Sequence, residues 1–356
     1  MAAVRPELIY IERDIAGLPY TQTILQNFPE ARKEFISDIR ELIRQNKKTV
    51  FTKARQPLVL ARQRGRFLEK CPGTREHICC NYYTLHTALG CPFDCTYCFL
   101  QSYSNNPYYT IYVNLDDMLA ELRARIHGRI RIGTGEFTDS LALEMYTQFV
   151  YTYVPLICAV SPDITLEFKT KSAEISWLDS LEDFTRQQLV IAWSLNPQKL
   201  IDSAEHGAAP LLDRILAAKT AAEQGYRVAL HFDPIIYAPG WQEQYQTVLD
   251  LIAQNIPPEK IAWLSLGTLR FTPALKPIIE EKFPDSTIIY GELFPGQDKK
   301  MRYPEPIRVK IYRHMLRQIA AISPQLPVYL CMESPEVWQK VYNQLPAQVE
   351  NLHELF

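Results

Sequence analysis

Short runs of β-branched and aromatic residues alternate with amphipathic helical patterns along the chain from residue 81 onward. The apolar runs predict strands over residues 82–88, 130–136, 165–171, 189–195, 226–235 and 261–269. The segments between these runs predict helices over residues 114–126, 141–154, 175–185, 209–225 and 240–255. Strands that are apolar almost throughout and alternate with helices indicate a parallel sheet with helical crossovers.

This order of elements predicts an α/β fold, a partial (βα)6 barrel of the TIM type with N-terminal and C-terminal extensions. A dinucleotide-binding sheet fits less well, because no G-x-G-x-x-G follows any predicted strand. Residues 1–80 form the predicted N-terminal extension, with a helix around residues 29–46 and a basic, strand-like stretch over 49–63. Residues 81–272 form the barrel, and residues 273–356 form an α/β extension expected to contact nucleic acid.

Composition agrees with a globular protein, and charge is distributed unevenly. Apolar residues make up 47% of the 356-residue chain, and the formal net charge is −2. Residues 47–75 nevertheless hold nine basic residues against one acid, Glu69, which gives this segment a net charge of +8. Such asymmetry predicts a phosphate-binding surface. A solvated basic face that is balanced by acids elsewhere is the alternative.

The start of the chain lacks the apolar core of a signal peptide. The longest apolar run, residues 153–160, is also far shorter than the roughly 20 residues of a membrane span. These features predict a cytoplasmic protein with no membrane association. In that reducing compartment, eight cysteines favour metal or redox chemistry over a disulfide framework.

Three of the cysteines, Cys91, Cys95 and Cys98, form a C-x3-C-x2-C motif in the loop after the first predicted strand. Structural zinc sites and ferredoxin clusters take four protein ligands. The nearest other cysteines, Cys79 and Cys80, lie across that strand at the opposite end of the predicted barrel. Three thiolates on a [4Fe–4S] cluster would leave one iron open, so the motif predicts a cluster that binds a further chelating ligand.

The motif, with an aromatic residue before its third cysteine and its place after the first barrel strand, resembles the radical S-adenosylmethionine superfamily. The resemblance implies that the open iron binds the amino and carboxylate groups of S-adenosylmethionine. It also implies that reduction of the cluster, by a partner such as flavodoxin or ferredoxin, yields a 5′-deoxyadenosyl radical.

The same resemblance assigns candidate cofactor-binding residues at the carboxyl ends of the next strands. Residues 133–136, GTGE, resemble the segment that holds the ammonium group of the cofactor, so Gly135 and Glu136 are candidates. Lys171 is a candidate partner for the carboxylate, with Lys169 as the alternative on the same strand face. Ser194 and Asn196 would bind the ribose or carboxylate, or cap the next helix.

A closer resemblance, over residues 47–272, is to the spore photoproduct lyase family. It rests on CTYCFLQ, PYYTIYVNLDDML, FKTK, WSLN, AAEQGYRVALHFDPIIYAPGWQEQY and LRFTPALK. The resemblance implies a lyase that reverses the thymine dimer 5-thyminyl-5,6-dihydrothymine in DNA. One alternative is an enzyme of the same family that acts on another nucleic acid lesion or a modified base. The other is a non-catalytic nucleic-acid-binding protein with a structural or redox-sensing cluster.

Two positions depart from the family pattern. Glu136 stands where the lyases carry a cysteine that returns a hydrogen atom to the product radical, and Phe99 replaces the second of two tyrosines beside the third cluster cysteine. Tyr97 keeps the first tyrosine, and Tyr97, Cys79 and Cys80 are the candidate catalytic residues.

Other cysteines leave further alternatives. Three of them have three alternative roles: they would quench a radical, bind a second cluster, or pack in the protein interior as small apolar side chains. These are Cys71, Cys79 and Cys80. Cys158 and Cys331 lie in apolar runs and are expected in the core.

A DNA substrate also gives the basic residues a role. Backbone contacts would hold the duplex while the dimer leaves the base stack and enters the barrel mouth. The predicted nucleic-acid-binding residues are Arg62, Arg64, Arg66, Arg270, Lys300 and Arg302.

Overall fold

The computed structural model describes residues 6–45, 57–71, 73, 76–349, 351–352 and 355. Its strands are β1 (Leu8–Glu12), β2 (Arg32–Ile36), β3 (Leu58–Ala61), β4 (Leu68–Lys70), β5 (Tyr83–Leu85), β6 (Ala88–Leu89), β7 (Asp94–Cys95), β8 (Tyr109–Tyr112), β9 (Ile130–Gly133), β10 (Ile164–Thr170), β11 (Leu189–Ser194), β12 (Glu205–His206), β13 (Arg227–Ile235), β14 (Ile261–Thr268), β15 (Arg270–Phe271), β16 (Phe294–Pro295), β17 (Met301–Arg302) and β18 (Val328–Leu330).

Helices connect most of these strands. They are α1 (Pro19–Gln26), α2 (Ile39–Gln45), α3 (Leu100–Tyr103), α4 (Leu115–Arg125), α5 (Glu144–Thr147), α6 (Phe149–Cys158), α7 (Asp183–Gln188), α8 (Gln198–Ala204), α9 (Leu211–Glu223), α10 (Trp241–Asn255), α11 (Leu275–Lys282), α12 (Glu305–Ile322) and α13 (Pro335–Tyr342). Across the described residues, none of them is long and apolar enough to cross a membrane.

The central sheet has eight strands in the order β18-β14-β13-β11-β10-β9-β5-β4. The pairings from β5 through β18 are parallel, and β4 runs antiparallel to β5 at one edge. Each of the six predicted strands is represented in it, and the partial-barrel fold class is confirmed. The short strand β18, at the other edge, was not predicted, because its three residues carry no periodic signal.

Alternation along the strands separates an apolar outer face from a polar interior. On β10, Phe168 packs against Phe149 and Trp177 of the helical layer, whereas Glu167 and Lys169 point to the other side. We call the space enclosed by that polar face the lumen. Because the strands are parallel, their carboxyl ends meet at one rim of the lumen, and this rim is where the sequence predicts the chemistry.

The N-terminal residues form a second sheet, in the order β2-β1-β3-β8-β6. This sheet extends past residue 80, the predicted end of the N-terminal extension. It includes β6 and β8, which come from the segment predicted as barrel. The helix predicted around residues 29–46 is wrong in its first half, where β2 pairs in parallel with β1, and the helix begins only at Ile39. The strand in the basic stretch is limited to β3, and residues 46–56 lie outside the described residues.

Two predicted helices are also shorter than their sequence patterns. The helix over 141–154 is divided at Gln148, which has a φ of 50°, and the Glu144 carboxylate accepts the amide of Val150 across the break. The helix over 175–185 is replaced by a 3-10 turn at Leu178–Ser180 and by α7, because extended Leu181 separates them. In both cases tertiary contacts override the local periodicity.

The two edges of the barrel sheet approach each other beyond β18. The amide of Ile78 donates to the carbonyl of Glu333 at 2.9 Å, and the Glu333 carboxylate in turn accepts from Tyr312 at 2.7 Å and pairs with Arg308 at 3.1 Å. The segment before β5 is therefore tied to the segment after β18, which places residues 79–81 and 331 along the same side of the lumen.

We expect Phe168→Ala to reduce the free energy of unfolding by about 3–5 kcal/mol, because it removes a fully buried ring between two aromatic neighbours. Urea unfolding measures this loss. Phe184→Ala is the matched control: Phe184 is 54% exposed, so the change should stay within about 0.5 kcal/mol. Equal losses for the two variants would contradict the assigned burial.

Candidate active site

The three-cysteine loop is fixed in place by a short strand pair. β7 pairs antiparallel with β12, which sets Cys95 opposite Glu205, and the amide of Thr96 donates to the carbonyl of Ala204 at 2.8 Å. On the outer side, the Lys282 ammonium lies 2.5 Å from the Asp94 carboxylate. The loop is thus held both to the segment after α8 and to α11 of the C-terminal region.

The thiols of this loop lie near one another on the rim of the lumen. Cys95 is buried and Cys91 and Cys98 are partly buried, and they pack around Phe93 and Ala142. Burial raises the pKa of the Cys95 thiol, whereas the nearby Lys171 ammonium lowers it. Within the described ranges, no group of three or more Cys, His, Asp or Glu side chains is arranged to hold a metal ion. A set of three soft donors beside a lysine fits a [4Fe–4S] cluster with one open iron.

The buried carboxylate of Glu205 joins the loop to the strand ends. It accepts hydrogen bonds from the Tyr97 hydroxyl and, at 2.8 Å, from the Asn196 amide. The Arg214 guanidinium lies 2.6 Å from it, and the Lys171 ammonium lies 3.5 Å away. Three residues that the sequence assigns to the site, Tyr97, Lys171 and Asn196, therefore meet at a fourth that it did not assign.

Charge keeps this carboxylate ionised. Burial alone raises the pKa of Glu205, but Lys171 and Arg214 more than offset this and hold the pKa at about 2. Burial, followed by the charge of Glu205, raises the pKa of the Tyr97 phenol well above its usual value. Tyr97 is therefore a neutral phenol that donates a hydrogen bond to the Glu205 carboxylate.

Asn196 and Ser194 are placed by the same network. The Asn196 amide oxygen accepts from the Tyr245 hydroxyl at 2.9 Å, so both ends of this amide have protein partners. The Ser194 carbonyl accepts from Arg214 at 2.8 Å, and Arg214 also donates to the Ala209 carbonyl at 2.7 Å. Neither residue caps α8, whose N-cap is Pro197.

The GTGE segment and the residues that follow it contact the carboxyl end of β10. The Ser140 hydroxyl accepts from the amide of Lys169 at 3.0 Å, and the Asp139 carboxylate accepts the amide of Lys171 at 2.7 Å and the Thr170 hydroxyl at 2.7 Å. A Cβ at Gly135 would lie 2.7 Å from the Lys169 Cβ, so only glycine permits this approach. These contacts hold the two lysines of β10 at the rim.

The two lysines of β10 have different neighbours, and the assignment of Lys171 to the cofactor carboxylate stays a prediction. Lys171 faces the cluster loop, with its ammonium 5.8 Å from the centre of the Tyr97 ring. Lys169 faces the lumen, 4.0 Å from the Glu136 carboxylate and 5.4 Å from the centre of the Tyr82 ring. Glu136 is therefore a rim carboxylate paired with Lys169.

The upper lumen contains two further polar pairs. The His231 imidazole lies 2.7 Å from the Glu167 carboxylate, and burial lowers the pKa of His231. Arg270 forms two hydrogen bonds of 2.8 Å with Asp233. Arg270 is thus paired with Asp233 in the lumen, and its contact with DNA stays a prediction.

The lower lumen is filled around the guanidinium of Arg131. It lies between the rings of Tyr82, Trp263 and Tyr329, at 5.4, 5.0 and 5.4 Å from their centres. It also donates to the Cys80 sulfur at 2.7 Å. Cys80, one of the two cysteines predicted to be catalytic, therefore contacts Arg131 at the amino end of β9. The other, Cys79, is exposed. The catalytic role of both cysteines stays a prediction.

The other predicted nucleic-acid-binding residues differ in whether an acidic side chain of the protein pairs with them. Arg62 pairs with Asp14 and Asp117, both at 2.8 Å, and Arg64 pairs with the buried Glu12 at 2.8 Å. These two arginines brace the N-terminal sheet. Arg66 is exposed, whereas Lys300 is partly buried near Asp298. Arg302 is only 3% exposed and donates to Asp298, so it shapes the turn between β16 and β17.

With this geometry established, the fold and site define a partial-barrel protein of the radical S-adenosylmethionine class. A family model described as spore photoproduct lyase matches residues 4–316. The chain belongs to the spore photoproduct lyase family. A curated relative, the spore photoproduct lyase of Geobacillus sp. (strain Y412MC61), is 24% identical over 299 residues, which cover 81% of this chain and 85% of that relative.

Solved structures agree on the fold. A spore photoproduct lyase complexed with dinucleoside spore photoproduct has a TM-score of 0.79 at 22% identity, covering 92% of this chain and 99% of that chain. A variant lyase with bound AdoMet and dinucleoside spore photoproduct has a TM-score of 0.77 at 22% identity, with the same coverage.

We expect Glu205→Gln to reduce the free energy of unfolding by about 3–5 kcal/mol, because it leaves buried Arg214 and Lys171 without their shared counter-charge. Urea unfolding at neutral pH measures this. Glu223→Gln is the control, since it breaks an exposed pair with Lys219 that should contribute about 0–1 kcal/mol.

The same carboxylate makes a pH prediction. Because its folded-state pKa is about 2 against an ordinary 4.5, its contribution is fully present above 4.5 and is lost as the pH falls toward 2. The stability difference between wild type and Glu205→Gln should therefore shrink over this range. A difference that is constant with pH would contradict the assignment.

We expect Gly133→Ala to destabilise the barrel by about 1–3 kcal/mol, because an added Cβ would lie 1.7 Å from the Tyr82 hydroxyl. Thermal unfolding measures the change. Gly17→Ala is the control, since a Cβ there has no neighbour within 4 Å. Equal melting temperatures for the two variants would refute the close approach of Tyr82 to β9.

Proposed function

We propose that this protein is a radical S-adenosylmethionine lyase that repairs the thymine dimer spore photoproduct in DNA. The observation that carries the proposal is the convergence of the three-cysteine loop, Tyr97 and Lys171 on one buried carboxylate at the rim of a family barrel. A reduced flavodoxin or ferredoxin supplies the electron, and the reaction takes place in the cytoplasm.

Each rim residue has a role in this proposal. Cys91, Cys95 and Cys98 bind the [4Fe–4S] cluster, and S-adenosylmethionine bound there supplies a 5′-deoxyadenosyl radical on reduction. Lys171 pairs with the cofactor carboxylate, and Glu136, held beside Lys169, accepts from the cofactor ammonium together with the backbone at Gly135.

The polar residues after β11 take supporting roles. Ser194 lies at the rim beside the cofactor. Asn196 fixes Glu205 and Tyr97 through its amide, because both ends of that amide are already engaged.

The DNA surface of this proposal lies around the hairpin of β16 and β17. This hairpin pairs with β15, and Arg270 of β15 reaches into the lumen, so the hairpin stands beside the rim. Phe294 and Tyr290 are each 60% exposed, and Lys299 is exposed at the turn. Exposed rings beside cations are suited to stacking on displaced bases while holding the phosphate backbone.

A variant that cannot bind the cluster tests whether this protein is an enzyme that cleaves S-adenosylmethionine. We expect Cys95→Ala, purified anaerobically and reduced with dithionite, to bind no [4Fe–4S] cluster and to form no 5′-deoxyadenosine, because two thiols cannot hold the cluster. Cys158→Ala, which removes a thiol from α6, should keep both properties. Cofactor cleavage by Cys95→Ala at the wild-type rate would exclude this site.

Substrate identity is tested with an oligonucleotide containing the spore photoproduct. We expect thymine to be restored when the reduced enzyme is supplied with S-adenosylmethionine. A second candidate, an enzyme of the same family acting on another lesion or a modified base, is favoured by Glu136 and Phe99 at the two departing positions. Cofactor cleavage without thymine formation from this lesion would support that second candidate instead.

DNA binding makes a separate prediction. Lys299→Gln should reduce the slope of log affinity against log salt by about 1, because one phosphate contact is lost. Arg66→Gln should behave in the same way. Lys219→Gln, on the outer helix α9, should leave the slope unchanged. Equal slopes for all three variants would remove the hairpin and Arg66 from the DNA surface.

A further inference from the structure

One thiol outside the cluster loop faces the upper lumen. In the register of the sheet, Tyr329 lies beside Ser265 and Ser265 beside His231, so these residues share the lumen face. Cys331 follows Tyr329 by two residues, and its amide continues the pairing by donating to the carbonyl of Leu266 at 2.8 Å. Cys331 therefore lies at the carboxyl end of β18 and points into the lumen.

A glycine opens the space in front of this thiol. A Cβ at Gly267 would lie 2.7 Å from the Asp233 carboxylate and 2.8 Å from the Arg270 guanidinium. Because Gly267 has no Cβ, there is room for the Arg270 guanidinium. This group donates to the Asp233 carboxylate and lies 3.6 Å from the Cys331 sulfur. The thiol is thus positioned by a rigid ion pair, and not by loose packing.

The same thiol lies in the electrostatic environment of Lys169, which pairs with Glu136. Glu136 occupies the position at which related lyases carry a cysteine. Burial and the charge of Asp233 raise the pKa of Cys331, so the group is an intact S–H at neutral pH. An S–H group, and not a thiolate, is the form that transfers a hydrogen atom.

One independent polar group in the lumen points to a ligand. Among the described residues, the Tyr82 hydroxyl has no hydrogen-bond partner, although Tyr82 is only 5% exposed. The Tyr82 ring lies below Lys169. Buried polar atoms without partners are costly unless something else satisfies them. A pyrimidine, whose ring edge carries carbonyl and N–H groups, supplies such partners.

We propose that Cys331 donates the hydrogen atom that completes the repaired thymine, from β18, in place of a thiol at the Glu136 position. The assignment rests on the proposed function. Removal of a hydrogen atom from the lesion and cleavage of the bond between its two pyrimidines leave a carbon radical on an exocyclic methylene group. The S–H bond of Cys331 breaks as a C–H bond forms, which gives the thymine methyl group and a thiyl radical on Cys331. The thiyl radical would then take a hydrogen atom from the methyl group of 5′-deoxyadenosine, which restores the thiol and regenerates the 5′-deoxyadenosyl radical.

Cys80 is a less suitable donor by position. Its sulfur contacts Arg131 of the lower lumen, at the amino end of β9, whereas Cys331 follows the carboxyl end of its strand, where the cluster loop also lies.

The first test measures contact and not turnover. The cluster-loaded protein, without reductant, is alkylated with N-ethylmaleimide in the presence and absence of dinucleoside spore photoproduct, and each cysteine is quantified by mass spectrometry. At a ligand concentration about ten times Kd, labelling of Cys331 should slow by about tenfold, and labelling of exposed Cys79 should not change. Labelling of Cys331 that is unaffected by bound ligand would overturn the proposal whatever the enzyme's activity.

The second test follows the hydrogen atom. In a single turnover in D2O, where the thiol exchanges its proton, the wild-type product should carry deuterium in its new methyl group. Cys331→Ser should still form 5′-deoxyadenosine but lose thymine formation by about 10²-fold, the scale for loss of a positioned transfer group. Cys158→Ala should retain both. Wild-type repair by Cys331→Ser would overturn the assignment, whereas no repair by any form, wild type included, would instead reject the proposed function.

Discussion

The buried carboxylate of Glu205 is the interaction on which the site depends. Two cations, a phenol and an amide reach it from four different segments of the chain, and β12, the strand on which it stands, also pairs with the strand that contains Cys95. A carboxylate with this many partners can remain ionised inside a protein, where an isolated one could not. The cluster loop is consequently held at the rim by the same group that orients Tyr97 and Lys171.

Polar and aromatic side chains line the lumen behind this rim, and two glycines leave room for them. Gly135 lets the GTGE segment lie on the backbone of β10, and Gly267 gives Arg270 its path between strands. The ionised and polar side chains then form layers, with Arg131 and its aromatic neighbours below and the pairs of His231 and Arg270 above. Such an interior is suited to holding a polar, ring-shaped substrate, because the strands fix each group to within a narrow range of positions.

The sequence predicted the parts of this protein that are locally encoded. The six strands are visible as apolar runs, and the spacing of Cys91, Cys95 and Cys98 predicts a cluster loop. Glu205 and Arg214 were not found, because their pairing is set by the contact of β12 with β7, about a hundred residues apart in the chain, and no local pattern marks it. Arg302 and Arg270 were assigned to DNA by charge alone, and the structure instead pairs each with an aspartate.

The central claim, that the radical formed at the rim acts on the lesion in the lumen, is tested most directly by isotope transfer. A spore photoproduct oligonucleotide deuterated at C6 of its dihydrothymine ring is incubated with the reduced enzyme and S-adenosylmethionine. The account predicts that deuterium is recovered in 5′-deoxyadenosine while thymine is formed. Formation of 5′-deoxyadenosine that contains only hydrogen, with the label still on the lesion, would contradict it.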